Sequence, residues 1–466
     1  MRLQSASSRV AACMLTLVTL CAFHSNPSRT SGTDFLVTGA PVYEPLKALR
    51  GQERFPKGAE LLLVHEGKAE PLLQNFAATT DADVSFDGAR VIFSGKKAAV
   101  DCWQVWELTL ADHSIRQLTF EATDAIRPLY LPGDRFVYAG ETATGFQLRI
   151  APVAQTERDA RLASGHGGVV TLTFAGGNAV PSDVLADGRI LFESDFPLGS
   201  GSVPELFLVY SDGSGVEAYR CDHGAARWGG RQLTSGDVVF THGVSLARFT
   251  SPLAHEVRIA APPAEYAGGI AETPSGSWLM SARIAKSGHY GIDLWQPGAA
   301  SLKSILARSG EDLVEPVLIA PRLTPKRHPS GLHPWDYANL LALDARISRD
   351  GALRASPATV QLETQGADGR AKLLGTAPVE TDGSFFVKVP GDKPLRFTLL
   401  DAKGAVLRQE HGWFWARGGE QRYCVGCHAG PERAPDNKVP SVLLRSTTPI
   451  DLTKAPASAI SGGRSR

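Results

Sequence analysis

One unit recurs along most of this chain: a tight turn, a short apolar strand with an aromatic or large side chain near its end, then a second strand. The copies are Asp87-Gly88 before Arg90-Val-Ile-Phe93, Gly133-Asp134 before Arg135-Phe-Val-Tyr138, Asp187-Gly188 before Arg189-Ile-Leu-Phe192, Gly236 before Asp237-Val-Val-Phe240, and Gly276 before Ser277-Trp-Leu-Met280. Phe93, Tyr138, Phe192, Phe240 and Met280 stand 40 to 54 residues apart. That interval suits a four-stranded propeller blade, and the turn residues are hairpin chemistry.

Each copy precedes another strand candidate, at 106–110, 146–150, 205–209, 256–259 and 292–295. A further strand at 61–64 has no copy before it, so the last blade is expected to join N-terminal strands to one near 317–319, closing the ring. The chain therefore reads as all-β, led by a six-bladed β-propeller, with seven blades as the alternative. A two-sheet sandwich of similar strands would need no period.

The expected organisation is a leader at 1–30, the propeller at 36–320, a linker at 321–337, a small β-sandwich-like domain at 338–410, a C-terminal segment at 411–450 and a flexible tail at 451–466. The linker is rich in proline and basic residues, Pro321-Arg-Leu-Thr-Pro-Lys-Arg-His-Pro329, which suits a chain leaving one domain for another. The second β region shows hairpin turns at Asp368-Gly369, Asp382-Gly383, Gly391-Asp392 and Lys403-Gly404 between alternating strands.

Lysine plus arginine balances aspartate plus glutamate at 48 each. Without net charge or a basic run, no footprint for nucleic acid or anionic lipid is present. Arg2 and Arg9 precede an apolar stretch at 10–23 and a polar His24-Ser-Asn-Pro-Ser, the pattern of a secretory signal. The protein is expected to be periplasmic or otherwise exported, with no membrane span once the signal is removed; the alternative is an anchor through this N-terminus, by the apolar stretch or by lipid on Cys21. Outside the leader the cysteines are Cys102, Cys221, Cys424 and Cys427. Cys102 and Cys221 are free to pair in an oxidising compartment, or one of them to serve a metal.

The chemistry is concentrated in Cys424-Val-Gly-Cys427-His428. C-x-x-C-H attaches a c-type haem: two thiols form thioethers and the adjacent histidine reaches the iron. No second C-x-x-C exists to complete a zinc site. One covalent haem c is thus expected on Cys424 and Cys427, with His428 as an axial ligand of the iron. The methionines are Met1, Met14 and Met280, the first two in the leader and the third in a propeller strand, so methionine is not the expected second ligand. Ahead of the motif lie His411-Gly-Trp413-Phe-Trp415 and Tyr423. Trp413, Trp415 and Tyr423 are candidates for an aromatic wall packed on the porphyrin, or for the last strand of the sandwich, with Trp413 and Trp415 on one face and Phe414 on the other. His411, and the loop carrying Cys221 and His223, are weaker candidates for metal ligation.

The run 375–428 holds Pro378-Val-Glu-Thr-Asp382-Gly-Ser-Phe-Phe-Val-Lys-Val-Pro390, then Leu399-Leu-Asp401-Ala-Lys-Gly404, then Gly419-Glu420 and the haem motif. This order resembles the middle domain of the hydrazine synthase alpha-subunit family, including relatives that make no hydrazine. The resemblance implies a six-bladed propeller before the middle domain, a haem on Cys424 and Cys427 between the two, and zinc nearby, for which Cys221 and His223 are the candidates. In that family a tyrosine downstream can take the iron; the corresponding residue here is Glu432.

Two functions follow as expectations. The first is an exported c-type haem protein with a redox or electron-transfer role, serving a redox partner protein or a small nitrogen or oxygen substrate. The alternative is a propeller-based binding protein in which the haem is structural or sensory. Hydrolase signatures such as G-x-S-x-G and H-E-x-x-H are missing from the sequence.

Overall fold

The computed structural model describes residues 34–154, 156, 158–159, 168–195, 203–220, 226–284, 288–348, 351–366, 369–410, 412–426 and 436–453. Eight antiparallel or mixed sheets account for nearly all of the regular structure. Six of them are propeller blades. Blade 1 comprises Ala78–Val84, Arg90–Lys96, Gln104–Thr109 and Ile115–Gln117; blade 2 comprises Ala125–Leu131, Arg135–Thr142, Gly145–Pro152 and Val170–Thr171. Blade 3 runs from Ala179–Val184 to Glu217–Ala218, and blade 4 from Arg227–Gln232 to Val257–Arg258. Blade 5 has its inner edge split into Glu265–Tyr266 and Ala271–Glu272. In blade 6, Asp312–Leu318 pairs with Phe35–Ala40, which continues to Glu60–His65 and Lys68–Pro71. The ring is closed by strands from both ends of the domain.

The recurrent large residues explain why the sheets stack. Phe93, Tyr138, Phe192, Phe240 and Met280 each sit in the second strand of a blade and are no more than 1% exposed. Side chains alternate along a strand, so each of these residues packs on the preceding blade while its neighbour packs on the next. Phe93 joins Leu36 and Leu61 of blade 6, whereas Ile92 joins Tyr138 of blade 2. Leu191 and Phe240 meet between blades 3 and 4, and Val239 and Met280 between blades 4 and 5. One expectation is corrected here. The strand following the fourth copy is Ser245–Phe249, reached by a tight turn at Gly243, and Val257–Arg258 is the outermost strand of that blade.

The inner strands are interrupted at equivalent places. Register shifts fall between Thr80 and Asp83, Ile126 and Leu129, Pro181 and Asp183, and Trp228 and Arg231. At these bulges Asp81, Arg127 and, in the closing strand, Glu315 take positive φ of 58°, 52° and 58°, a conformation non-glycine residues hold only at a cost. The three charged side chains gather with Arg54, which arrives from the 41–59 segment. Arg54 is 4% exposed and donates to Asp81 and, at 2.6 Å, to Glu315. Arg127 lies 3.3 Å from Glu315 and 3.6 Å from Glu193. Burial alone would raise the Glu315 carboxyl, but Arg54 and Arg127 outweigh it and hold the group below its ordinary range.

The last two sheets form a β-sandwich. One sheet is ordered Gln421–Cys424, Tyr337–Ala342, Phe385–Pro390, Ile450–Asp451; the other is Ala371–Pro378, Thr359–Gln365, Leu395–Leu400, Val406–Gln409. Leu340, Val360, Leu362, Val387, Leu395 and Leu399 fill the space between them. The sandwich therefore exceeds the expected 338–410 span, because Gln421–Cys424 pairs in parallel with Tyr337–Ala342. The expected tail also begins later: Asp451 is sheet-paired and Leu452 is 4% exposed in the core. Residues 320–328 cross the propeller turns, with Arg322 on Asp83 at 2.7 Å and His328 stacked on Tyr210 at 3.8 Å. Among the described residues no helix is long and apolar enough to cross a membrane.

Candidate functional site

The segment that carries the C-x-x-C-H motif is anchored between the sandwich and blade 3. Phe414 exchanges backbone hydrogen bonds with Leu395 and packs into the sandwich core, while Trp413 and Trp415 face the other way, toward the propeller. Trp415 is 1% exposed, enclosed by the cluster that joins blades 2 and 3. Its surface is spent on holding the two domains together, which leaves Trp413 and Tyr423 as the aromatics with surface to offer a porphyrin. Trp413 is partly buried, with the Arg396 guanidinium 4.7 Å over its ring. Tyr423 is 70% exposed.

Glu420 and Arg422 tie the approach to the motif onto the propeller. Glu420 is buried and accepts hydrogen bonds from Arg417 N at 2.7 Å and from Gly215 N at 3.2 Å. Arg422 donates to Trp415 O at 2.9 Å and Val216 O at 2.6 Å. In a strand, residues two apart share a face, so Arg422 and Cys424 look the same way while Tyr423 looks outward. The Cys424 thiol is free, half-buried and packed against the sandwich core. Its carbonyl accepts from Leu343 N at 2.8 Å, so the strand stays paired up to the motif. Burial pushes the thiol's pKa up, with Glu410 and Glu420 adding to the effect and Arg422 opposing it.

Gly426 completes the described part of the motif. A Cβ there would lie 2.8 Å from Ile347 Cβ and from Ile347 O, and 3.1 Å from Asp344 O. The chain is thus pressed onto the 344–347 turn, closer than any side chain allows. Glu410 is one of the carboxyls whose charge acts on the thiol. Its carboxyl is pushed up to about 7 by burial, against a hydrogen bond from Phe397 N and the charges of Arg422 and Arg396.

A free, half-buried thiol at a strand end, with a close-packed glycine two residues on, fits one attachment point of a thioether-bound haem. Cys427, His428, His411, Cys221 and His223 lie outside the described residues. No group of three metal-competent His, Cys, Asp or Glu side chains occurs among the described residues. Sequence reading passed over Arg422, Arg396 and Glu410. Strand alternation back from Cys424 was a usable signal for Arg422; nothing local marked Glu410, whose charge acts on the thiol from a different part of the chain.

Residues 336–429 match the family model for the hydrazine synthase alpha subunit middle domain. The fold as a whole is similar to hydrazine synthase from Kuenenia stuttgartiensis, with a TM-score of 0.73 at 16% identity over 89% of this chain and 72% of that one. TolB from Acinetobacter baumannii is similar over 63% of this chain and 67% of its own, with a TM-score of 0.45 and 11% identity. No curated protein matches the chain.

Proposed function

We propose, because residues 336–429 match the family model for the hydrazine synthase alpha subunit middle domain, that the chain is an exported c-type haem protein with a redox or electron-transfer role. The haem would be held between propeller and sandwich by thioethers to Cys424 and Cys427, with His428 on the iron. Bound there, it would supply a one-electron centre that exchanges with a redox partner protein or acts on a small nitrogen or oxygen species. The observation that carries this reading is the free Cys424 thiol within a C-x-x-C-H motif, at the end of a strand whose neighbours Glu420 and Arg422 are bonded to blade 3. Arg422, Glu410 and Glu420 would set the charge around the haem. Export agrees with the N-terminal signal pattern and with thioether attachment, which is made outside the cytoplasm.

The test is expression of the full chain in a host with periplasmic cytochrome c maturation. Expected results are haem that survives denaturing electrophoresis, its loss from the Cys424→Ser/Cys427→Ser protein, and an altered visible spectrum in His428→Ala. A wild-type protein that matures without covalent haem overturns the proposal. Carbon monoxide added to the reduced protein then separates the two roles: binding indicates an open iron site for a small substrate, and refusal indicates electron transfer through a closed one.

A further inference from the structure

The repeat sets an arginine at or just before the start of the second strand in three successive blades: Arg90, Arg135 and Arg189, each three residues before the recurrent large side chain. A guanidinium carries five donors and a permanent charge, so a part-buried one is expected to meet a carboxylate. Arg90 lies 3.4 Å from Glu107, and Arg189 lies 2.8 Å from Asp187 and 3.0 Å from Glu217. Arg135 breaks this pattern. Among the described residues it makes no ion pair, even with the adjacent Asp134; its hydrogen bond is Nη2 to Ser211 Oγ at 3.4 Å, long for a charged donor, and its Nε is enclosed without an acceptor. Burial and the charge of Arg327 both lower the Arg135 pKa, and no carboxylate acts the other way.

Arg327 comes from the linker and is laid on the turn that leads into Arg135. A Cβ at Gly133 would lie 3.5 Å from its Cζ and Nη1. The backbone around it is pinned, because Lys326 N donates to Ala186 O at 3.0 Å and His328 stacks on Tyr210 at 3.8 Å. Linker position alone does not leave an arginine unpaired: Arg322 sits 2.7 Å from Asp83. Arg327 has no such partner among the described residues. Asp212, next to Ser211, is occupied by Ser214 through N at 3.0 Å and Oγ at 2.6 Å. Gly133 also lines a cleft of about 350 Å³ with Tyr130, Leu131 and Thr324, so there is open space beside the pair.

Two like charges held together without a counter-charge weaken the fold that holds them, and an anion from solution that joins them relieves the strain. Guanidinium forks match the spacing of phosphate and sulfate oxygens, which makes arginine the side chain of choice for such groups. We propose that Arg135 and Arg327 form an oxyanion site at the seam of blade 2, blade 3 and the linker, with Ser211 as a further donor, for a phosphate or sulfate group that is either free or the end of a small ester. The site is separate from the haem reading and stands or falls without it. A merely solvated pair predicts no saturable binding, only the general response of a protein to salt.

The experiment titrates the full chain with inorganic phosphate, sulfate and phenyl phosphate by calorimetry, at fixed ionic strength in chloride. The wild type should bind phosphate saturably at one site. Arg135→Gln and Arg327→Gln should each weaken binding by roughly 10- to 100-fold, the loss of a charge-assisted hydrogen bond. Arg283→Gln removes the same charge from a pair with Glu265 elsewhere on the propeller and should leave binding in place. Melting gives a second readout. Without phosphate Arg327→Gln should be at least as stable as the wild type, since it relieves repulsion, and phosphate should raise the Tm of the wild type and Arg283→Gln but not of Arg327→Gln. Tighter binding of phenyl phosphate than of inorganic phosphate assigns the site to an esterified group that uses the cleft; equal or weaker binding assigns it to the free ion. If Arg135→Gln does not fold, the exposed Arg327 decides alone. A wild type that binds neither phosphate nor sulfate saturably overturns the proposal, as does binding that survives Arg327→Gln unchanged or that Arg283→Gln weakens as much.

Discussion

Replacing Arg54 by alanine should expose how strongly the propeller axis depends on charge balance. In the native cluster Asp81, Glu193 and Glu315 face Arg54 and Arg127, and all five are at most 12% exposed. Without Arg54 the three carboxylates keep Arg127 and the more distant charge of Arg231, and two of them lose a direct partner. Removing one side of a buried ion pair costs about 3–5 kcal/mol. The upper end is expected near neutral pH, where no carboxyl has yet shed its charge. The pH dependence gives the sharper check. In the wild type Glu315 is held below its ordinary range, so its contribution is present above the unfolded carboxyl pKa and is lost as pH falls through the lower folded value. In Arg54→Ala burial prevails, the folded pKa rises, and the penalty is full above that raised value and absent below the unfolded one. The gap between the two proteins should therefore narrow as pH falls from about 7 toward about 4.5, the ordinary glutamate region. Urea unfolding of the full chain at the two pH values measures this. A deficit under about 1 kcal/mol at neutral pH, the range of an exposed pair, or an equal deficit at both pH values, refutes the reasoning. Arg54→Met combined with Asp81→Asn and Glu315→Gln should recover much of the loss, since neutral groups carry no uncompensated charge.

Trp415→Ala should cost about 3–5 kcal/mol, as for other buried tryptophans, and should increase protease cleavage between propeller and sandwich; unchanged cleavage would mean that Trp415 does not hold the domains together. Gly426→Ala should cost about 1–3 kcal/mol through overpacking on Ile347 and lower the yield of covalent haem, read as haem per protein by absorbance. A normal haem yield would show that the 344–347 seat does not guide the motif.

The propeller was legible because its information is local. A buried strand every 40 to 54 residues leaves Phe93, Tyr138, Phe192, Phe240 and Met280 in plain view, and the closing strand follows from an unpaired neighbour at 61–64. The fourth blade was misread where its third strand is short and polar-edged, so that Ser245–Phe249 is less prominent than the run after Glu256. Parallel pairing of Gln421–Cys424 with Tyr337–Ala342 leaves no local trace, which is why the motif looked like an appendage to the sandwich rather than part of it. The axis was invisible for a related reason: Arg54, Asp81, Arg127, Glu193 and Glu315 come from separate segments, and non-glycine residues at positive φ have no sequence signature. At the site, Cys424 was readable from its motif. The charges around it were not, because Glu410 acts on the thiol from another part of the chain.

The closure of blade 6 also has a cost in time. Phe35–Ala40 needs Asp312–Leu318 as a neighbour, so this N-terminal strand of the propeller must wait for the rest of the propeller sequence before its edge is covered. Pairing across so much chain is slow, and an open edge meanwhile invites partners from other molecules. Maturation of this protein should thus be limited by ring closure, with a holdase chaperone raising yield more than any increase in the final stability of the blades.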